Sequence, residues 1–327
     1  MPAAARRVLI TGVSSPPGAR VAMRLADDPH VEHVFGVDTR RPPDALARRI
    51  TFIDADLRKG DLAGTLALAG PHVVIHSDIV QFPEPGRSAR TLHDRNVMGT
   101  LQLLAACAQL PGLRALVVRG SAAIYGSEPD APAFFTEDLA RAGVLRTRFQ
   151  RDVGELERLV EAFARRRPAV PCTVLRLQPV IGPTLDTPIM RLLRAPVVPT
   201  FLGFDPRLQF VLDDDAVGAV VAAVHRPVRG PVNVAGDGTV SLARTLRRLG
   251  RRSLPIAAPL YATAAGALAR TGAIPRLNDD VVRYLRNGRG VDTTRMRREL
   301  GFTPTHTTPE AIDAVAAAIR AGERLAA

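Results

Sequence analysis

Up to about residue 180, short apolar runs rich in valine, isoleucine and leucine alternate with longer segments whose apolar residues recur every three or four positions. Such runs have no polar side to turn to water, so they fit a parallel sheet covered by helices on both faces. The predicted strands are 8–10, 34–37, 51–53, 73–76, 115–118 and 173–177, and the clearest helices are 18–25, 92–109 and 152–166. From about Pro183 the pattern loosens into proline-punctuated segments such as 194–206, followed by a helix near 214–225 and shorter pieces. The expected architecture is α/β. A doubly wound parallel sheet spans residues 1–182, and a smaller C-terminal lid region spans 183–327, with about 210–235 returning to the sheet domain.

With 46% apolar residues in 327, the chain can bury a core that needs no staples. Cys107 and Cys172 fall in a helix and a buried strand, so free core thiols in a reducing, cytoplasmic setting are expected. The apolar stretch 8–10 after Arg6 and Arg7 is too short for a leader core, and no apolar run is long enough to span a bilayer. A net charge of +12 raises the question of nucleic acid. The arginines, however, are scattered in pairs and triplets, without zinc-finger cysteine spacing or an aromatic RNA-binding run. Neither nucleic acid, membrane nor metal is an expected partner. Lysine is almost absent, Lys59 being the only one.

The segment VLITGVSSPPGARVAMRL sets a turn between an apolar strand and an apolar-faced helix, where helix-end amides can hold a pyrophosphate. Gly12 and Gly18 match the outer positions of the TGxxGxxG loop that this segment resembles, that of short-chain dehydrogenases. Ser15 stands at the middle glycine, where a small hydroxyl can donate a hydrogen bond of its own. Ser14, Ser15, Pro16 and Pro17 complete the expected cradle. The next strand ends at Asp38, about twenty residues on, where a dinucleotide fold reads the ribose. A carboxylate there favours the free hydroxyl of NAD(H), whereas Arg40 and Arg41 could hold the extra phosphate of NADP(H) if Asp38 turns aside. The two adjacent guanidiniums tilt the reading towards NADP(H).

Further motifs follow in order. DADLR brings Asp56 and Leu57, VVIHSDIV brings His76, Ser77 and Asp78, and NVMGTLQLL brings Asn96. GSAAIYG carries Ser121, Ala122 and Tyr125, and LRLQPVIGP carries Gln178, Pro179, Val180 and Ile181. QFVLDDDAVGAV and VDTTRMRRELGF close the series. Across nearly the whole chain these resemble the extended short-chain dehydrogenase/reductases, which include nucleotide-sugar epimerases and dehydratases. The resemblance implies a Rossmann fold, a cofactor bound by the residues named, a catalytic Ser121, a substrate-binding C-terminal region and a homodimer through two long helices.

The resemblance breaks at one point. The family begins the helix after the serine motif with Tyr-x-x-x-Lys, whose lysine lowers the tyrosine's pKa for proton transfer. Here the stretch is RFQRDVGELE, with Phe149 for the tyrosine and Val153 for the lysine, Glu157 fixing the register. No Tyr-x-x-x-Lys occurs anywhere, and the tyrosines are Tyr125, Tyr261 and Tyr284. Hydride transfer survives that loss, because it needs only the nicotinamide, an acceptor carbon and orientation. The chain therefore resembles the atypical reductases of aromatic polyketide biosynthesis that lack the tyrosine. The implied substrate is an aromatic, angucyclinone-type ketone whose neighbouring phenol supplies the proton. Phe149, Gln150, Ala122, Tyr125 and the apolar stretch 189–210 are the expected substrate contacts, with His76, Asp78 or Gln150 as possible helpers. A nucleotide-sugar epimerase or dehydratase, or a cofactor-sensing regulator that transforms nothing, are the alternatives.

Overall fold

The computed structural model describes residues 6–59, 62–81, 89–141 and 145–326. Seven strands form one parallel sheet: β1 (Arg6–Thr11), β2 (Val31–Asp38), β3 (Thr51–Asp54), β4 (Val73–His76), β5 (Ala115–Ser121), β6 (Cys172–Leu177) and β7 (Gly230–Val234). Their order across the sheet is β7-β6-β5-β4-β1-β2-β3. The order reverses between β1 and β4, and the crevice at the carboxyl ends of those strands is where such sheets receive ligands.

The alternation in the sequence has a direct cause in this sheet. Val8 and Ile10 of β1 face the core shared with α1 (Pro16–Ala26) and α6 (Asp213–His225), while Leu9 faces the opposite layer. That opposite layer is made by α2 (Leu62–Ala69), α3 (Gly99–Ala108) and α4 (Arg148–Arg166), and it buries both cysteines as free thiols. β1 is thus apolar on both sides, as the centre of a doubly covered sheet requires, whereas the edge strand β3 has no buried residue. The long helix expected over 92–109 carries a π turn, Asp94–Met98, ahead of α3. π turns of this kind concentrate at functional sites.

The segment Asp213–Val234 returns to the sheet, with α6 packing on α1 and β7 extending the sheet beyond β6. Arg20 of α1 fastens that return through ion pairs to Asp213 and Asp214. A second core gathers Ile189, Met190 and Leu193 of α5 (Pro188–Arg194), Phe210, Tyr284 of α7 (Asp279–Asn287) and Ile312 of α8 (Thr308–Ala326). This body closes over the carboxyl ends of the strands. Among the described residues, no helix is long and apolar enough to cross a membrane.

Candidate active site

The chain leaves β1 at Gly12, whose φ of 69° is the left-handed region that glycine tolerates best. Gly18, in the first turn of α1, approaches so closely that an added Cβ would lie 2.2 Å from the Gly12 carbonyl oxygen. Ser15 caps α1, its hydroxyl accepting from the Gly18 amide at 3.2 Å and donating to the Gly12 carbonyl at 2.6 Å. The serine at the family's middle-glycine position is therefore engaged inside the loop, and its proton is directed at the loop's own carbonyl. Pro16 and Pro17 occupy the first helical positions, where a missing amide costs little. Pro17 lines the neighbouring cavity, and Pro16 is exposed. Beside the loop, where its amide donates to Thr11, the Ser77 hydroxyl is buried without a partner among the described residues. A cradle that one methyl group would fill, with an orphaned hydroxyl next to it, fits the phosphates of a dinucleotide.

Asp38 is fixed rather than free to turn aside. Its carboxylate accepts from the backbone amides of Ser14 at 3.0 Å, Thr39 at 2.8 Å and Arg40 at 3.3 Å, and the residue is 7% exposed. The Ser14 hydroxyl donates to the Arg40 carbonyl and tightens the same corner. Displacing this carboxylate would strand three amide donors, which corrects the expected tilt towards NADP(H). Asp38 and Arg40 line a cleft with Asp56, Leu57 and Asp78, whereas Arg41 is exposed and outside that lining. Asp56 is held by Arg58, whose hydrogen bonds lower its pKa.

Beside this cleft lies a cavity of about 350 Å³ bounded by Ser77, Asp78, Ser121, Phe149 and the turn Gln178, Pro179 and Val180. Pro188, Ile189, Asp280, Tyr284 and Arg289 cover it from the C-terminal body. The Ser121 hydroxyl accepts from the Ala123 amide at 3.2 Å, which leaves its own proton for another acceptor. Phe149 presents a ring where the family presents a phenol. Behind it Val153 is 1% exposed among Ala122, Ala123 and Tyr125, so the position of the family's cation is dry and apolar.

Other expected contacts sit elsewhere. Ala122, Tyr125 and Gln150 lie outside the cavity lining, as does the fully buried Ile181. The Gln150 side chain serves the cap of α4 and donates to Asp280 at 2.9 Å. Asn96, on the π turn, grips both backbone groups of Val80 at 2.9 Å and so shapes the wall from behind. Asp78 is paired with Arg95.

His76 is 1% exposed, its two ring nitrogens bonded to Thr11 at 2.8 Å and Thr100 at 2.9 Å. Burial lowers its pKa to about 4 against the opposing charge of Asp78. A ring that stays neutral and points at two threonines is a strut between β1, β4 and the π turn, not a proton donor. The unfolded imidazole gains its proton near pH 6.5, and the folded one only near pH 4. The unfolded state thus binds more protons in that window, and stability should fall by about 3 kcal/mol as pH drops through it. Urea titrations between pH 7 and 4 should show a shallower fall in His76→Gln. Identical slopes in both proteins would remove His76 as the cause.

The three tyrosines are all occupied. Tyr125 donates to Asn233 at 2.7 Å and accepts from Arg176, and burial pushes its pKa up to about 12. Tyr261 donates to the Pro199 carbonyl at 3.3 Å. Tyr284 lines the cavity by its ring alone, because its hydroxyl donates to the Gln209 carbonyl at 2.6 Å. The sequence did not point to four charged residues that the fold brings to the wall: Arg119, Asp186, Asp280 and Arg289. Desolvation raises the pKa of Asp280, and bonds from Thr147 and Gln150 partly offset it. Arg119 stands two residues before Ser121 and could have been found from strand alternation.

The model of the NAD dependent epimerase/dehydratase family matches residues 8–235. An uncharacterized protein of Mycobacterium tuberculosis is 38% identical over 311 residues, covering 94% of this chain and 82% of the relative. A 3-diazoavenalumate denitrifying reductase of a Streptomyces species is 30% identical over 315 residues, covering 92% and 96%. Among solved structures, UDP-glucuronic acid 4-epimerase from Bacillus cereus aligns with a TM-score of 0.71 at 19% identity, covering 96% of this chain and 99% of that one. The dTDP-glucose 4,6-dehydratase of Bacillus anthracis aligns at 0.73 with 14% identity, covering 98% of each chain, and these two likenesses speak for the fold. With its glycine cradle, fixed ribose carboxylate and seven-stranded sheet, the chain belongs to the NAD dependent epimerase/dehydratase family.

Proposed function

We propose that this protein is a nicotinamide-dependent reductase that delivers hydride to an aromatic substrate without a proton from any tyrosine of its own. The observation that supports it is the replacement of the proton-transferring pair by Phe149 and Val153, with the hydroxyls of Tyr125, Tyr261 and Tyr284 all engaged by protein partners. The bound cofactor supplies the hydride, and Asp38 suits it as NAD(H). Ser121 offers one hydrogen bond to an oxygen at the reacting carbon. Phe149, Pro188 and Ile189 offer apolar faces to a flat ring. An angucyclinone-type ketone flanked by a phenol carries its own acid, hydrogen-bonded to the carbonyl that is reduced.

The Streptomyces relative favours a second acceptor of the same kind, a diazo-bearing arene. Hydride addition to an arenediazonium replaces the departing dinitrogen by hydrogen and leaves no alkoxide to protonate. Both acceptors spare the enzyme the phenol it lacks. Epimerisation or dehydration of a nucleotide sugar needs a base for a hydroxyl proton, and a cofactor sensor needs no open cavity beside Ser121.

NADH and NADPH oxidation should be followed with ortho-hydroxy aryl ketones and arenediazonium salts, and UDP- and dTDP-sugars should be assayed for converted product, because epimerisation and dehydration return the nicotinamide to its starting state. Oxidation by a ketone or a diazonium, with the sugars unconverted, is the expected result. Turnover of a sugar nucleotide, or tight cofactor binding with no turnover of any acceptor, would discard the reductase reading.

A further inference from the structure

Among the described residues the cavity wall holds one cation, Arg119, with neither an ion pair nor a hydrogen bond. Arg119 and Ser121 lie two residues apart on β5, and alternate residues of a strand share a face, so both reach the cavity wall. Three carboxylates share that wall, and each is committed elsewhere. Asp78 pairs with Arg95, Asp186 with Arg191, and Asp280 accepts from Thr147 and Gln150. The other guanidinium, Arg289, donates to Gln178 at 3.3 Å and to the Gly126 carbonyl at 3.1 Å, and lies over the Tyr284 ring. Arg119 has no ion pair or hydrogen-bond partner among the described residues.

A guanidinium without such partners on an apolar wall is costly unless a ligand completes it. Desolvation lowers its pKa to about 10, so it remains a cation at neutral pH. We infer that Arg119 is the anion-binding residue of this cavity and that the substrate presents it an anionic oxygen, a carboxylate or phenolate. This names the substrate class for the reductase reading and rests on it. The positive charge that the family places on the helix after the serine motif is here placed on β5, two residues before Ser121. A planar fork suits a carboxylate or phenolate better than a single ammonium does.

The test measures binding of benzoate, salicylate and 4-hydroxycinnamate, and of their methyl esters, to the NADH-loaded protein by calorimetry. The acids should bind at least about tenfold more tightly than the esters. In Arg119→Met the acids should weaken by thirtyfold or more, the usual scale for stranding one partner of a desolvated charge pair, with the esters unchanged. Arg119→Lys should retain part of the preference, and comparison of acid with ester in the unaltered protein needs no variant to fold.

If no acid binds better than its ester, or if Arg119→Met binds the acids as well as before, the inference is overturned. A tenfold loss of NADH affinity in Arg119→Met, with acid binding to the cofactor-free protein unaltered, assigns the guanidinium to a cofactor phosphate and also overturns it. An acid preference that persists in a protein oxidising NADH with no acceptor supports the anion site and sinks the reductase reading, so the two failures are distinguishable.

Discussion

Gly18→Ala should weaken dinucleotide binding by about a hundredfold, the scale of effect that follows when a binding group moves by about an ångström. The new Cβ would stand 2.2 Å from the Gly12 carbonyl oxygen and 3.0 Å from the Ser15 hydroxyl. The first of these is backbone that cannot rotate away. The turn must open, and with it go the Ser15 cap and the amides at the start of α1. Because α1 and the sheet remain packed on Val21, Ala22 and Leu25, the fold should survive while the cradle does not. Fluorescence titration of NADH, paired with a circular dichroism melt, separates the two. An alanine variant that folds normally and binds within threefold of the parent would mean that the cofactor does not use this loop.

Glu157→Ala should destabilise the protein by about 3–5 kcal/mol, the usual penalty for leaving a buried charge without its partner. Arg176 on β6 has a side chain only 3% exposed, and Glu157 on α4 holds it through two bonds, at 2.9 and 2.6 Å. Desolvation lowers the guanidinium's pKa, but the hydrogen bonds and charge of Glu157 overcome it and hold the group above its ordinary value. Arg176 in turn donates to Tyr125 and to the Glu137 carbonyl, so its loss of charge balance reaches the segment after Ser121. Glu157→Gln keeps an acceptor and should cost less than alanine. Urea denaturation at neutral pH decides the matter. A loss below 1 kcal/mol for alanine would show that the cation is hydrated and that the pair does little.

Glu157 also shows how far the sequence could be read. At the level of residue type it marked a register, and through that register it showed Phe149 and Val153 at the positions of the proton-transferring pair. Its partner lies nineteen residues away on β6, and only the folded sheet brings the two together. Asp38 behaves likewise. Its place at the end of β2 was legible, but the three amides that fix it come from two loops that meet only in the fold. By motif His76 is a cofactor contact and Gln150 a substrate contact, but tertiary packing makes both struts.

The sequence by itself determined the alternation of strands and helices, the position of the phosphate turn and the absence of a Tyr-x-x-x-Lys pair. These follow from local pattern, because burial on both faces, glycine at a tight turn and the identity of a side chain are written in consecutive residues. Only the tertiary structure decided which charges are spent on one another and which face the cavity. Arg119, Asp280 and Arg289 are separated by up to 170 positions, and the distances between them are fixed by how the C-terminal body closes over the sheet. Charge pairing acts over a few ångströms of space, whatever the separation along the chain.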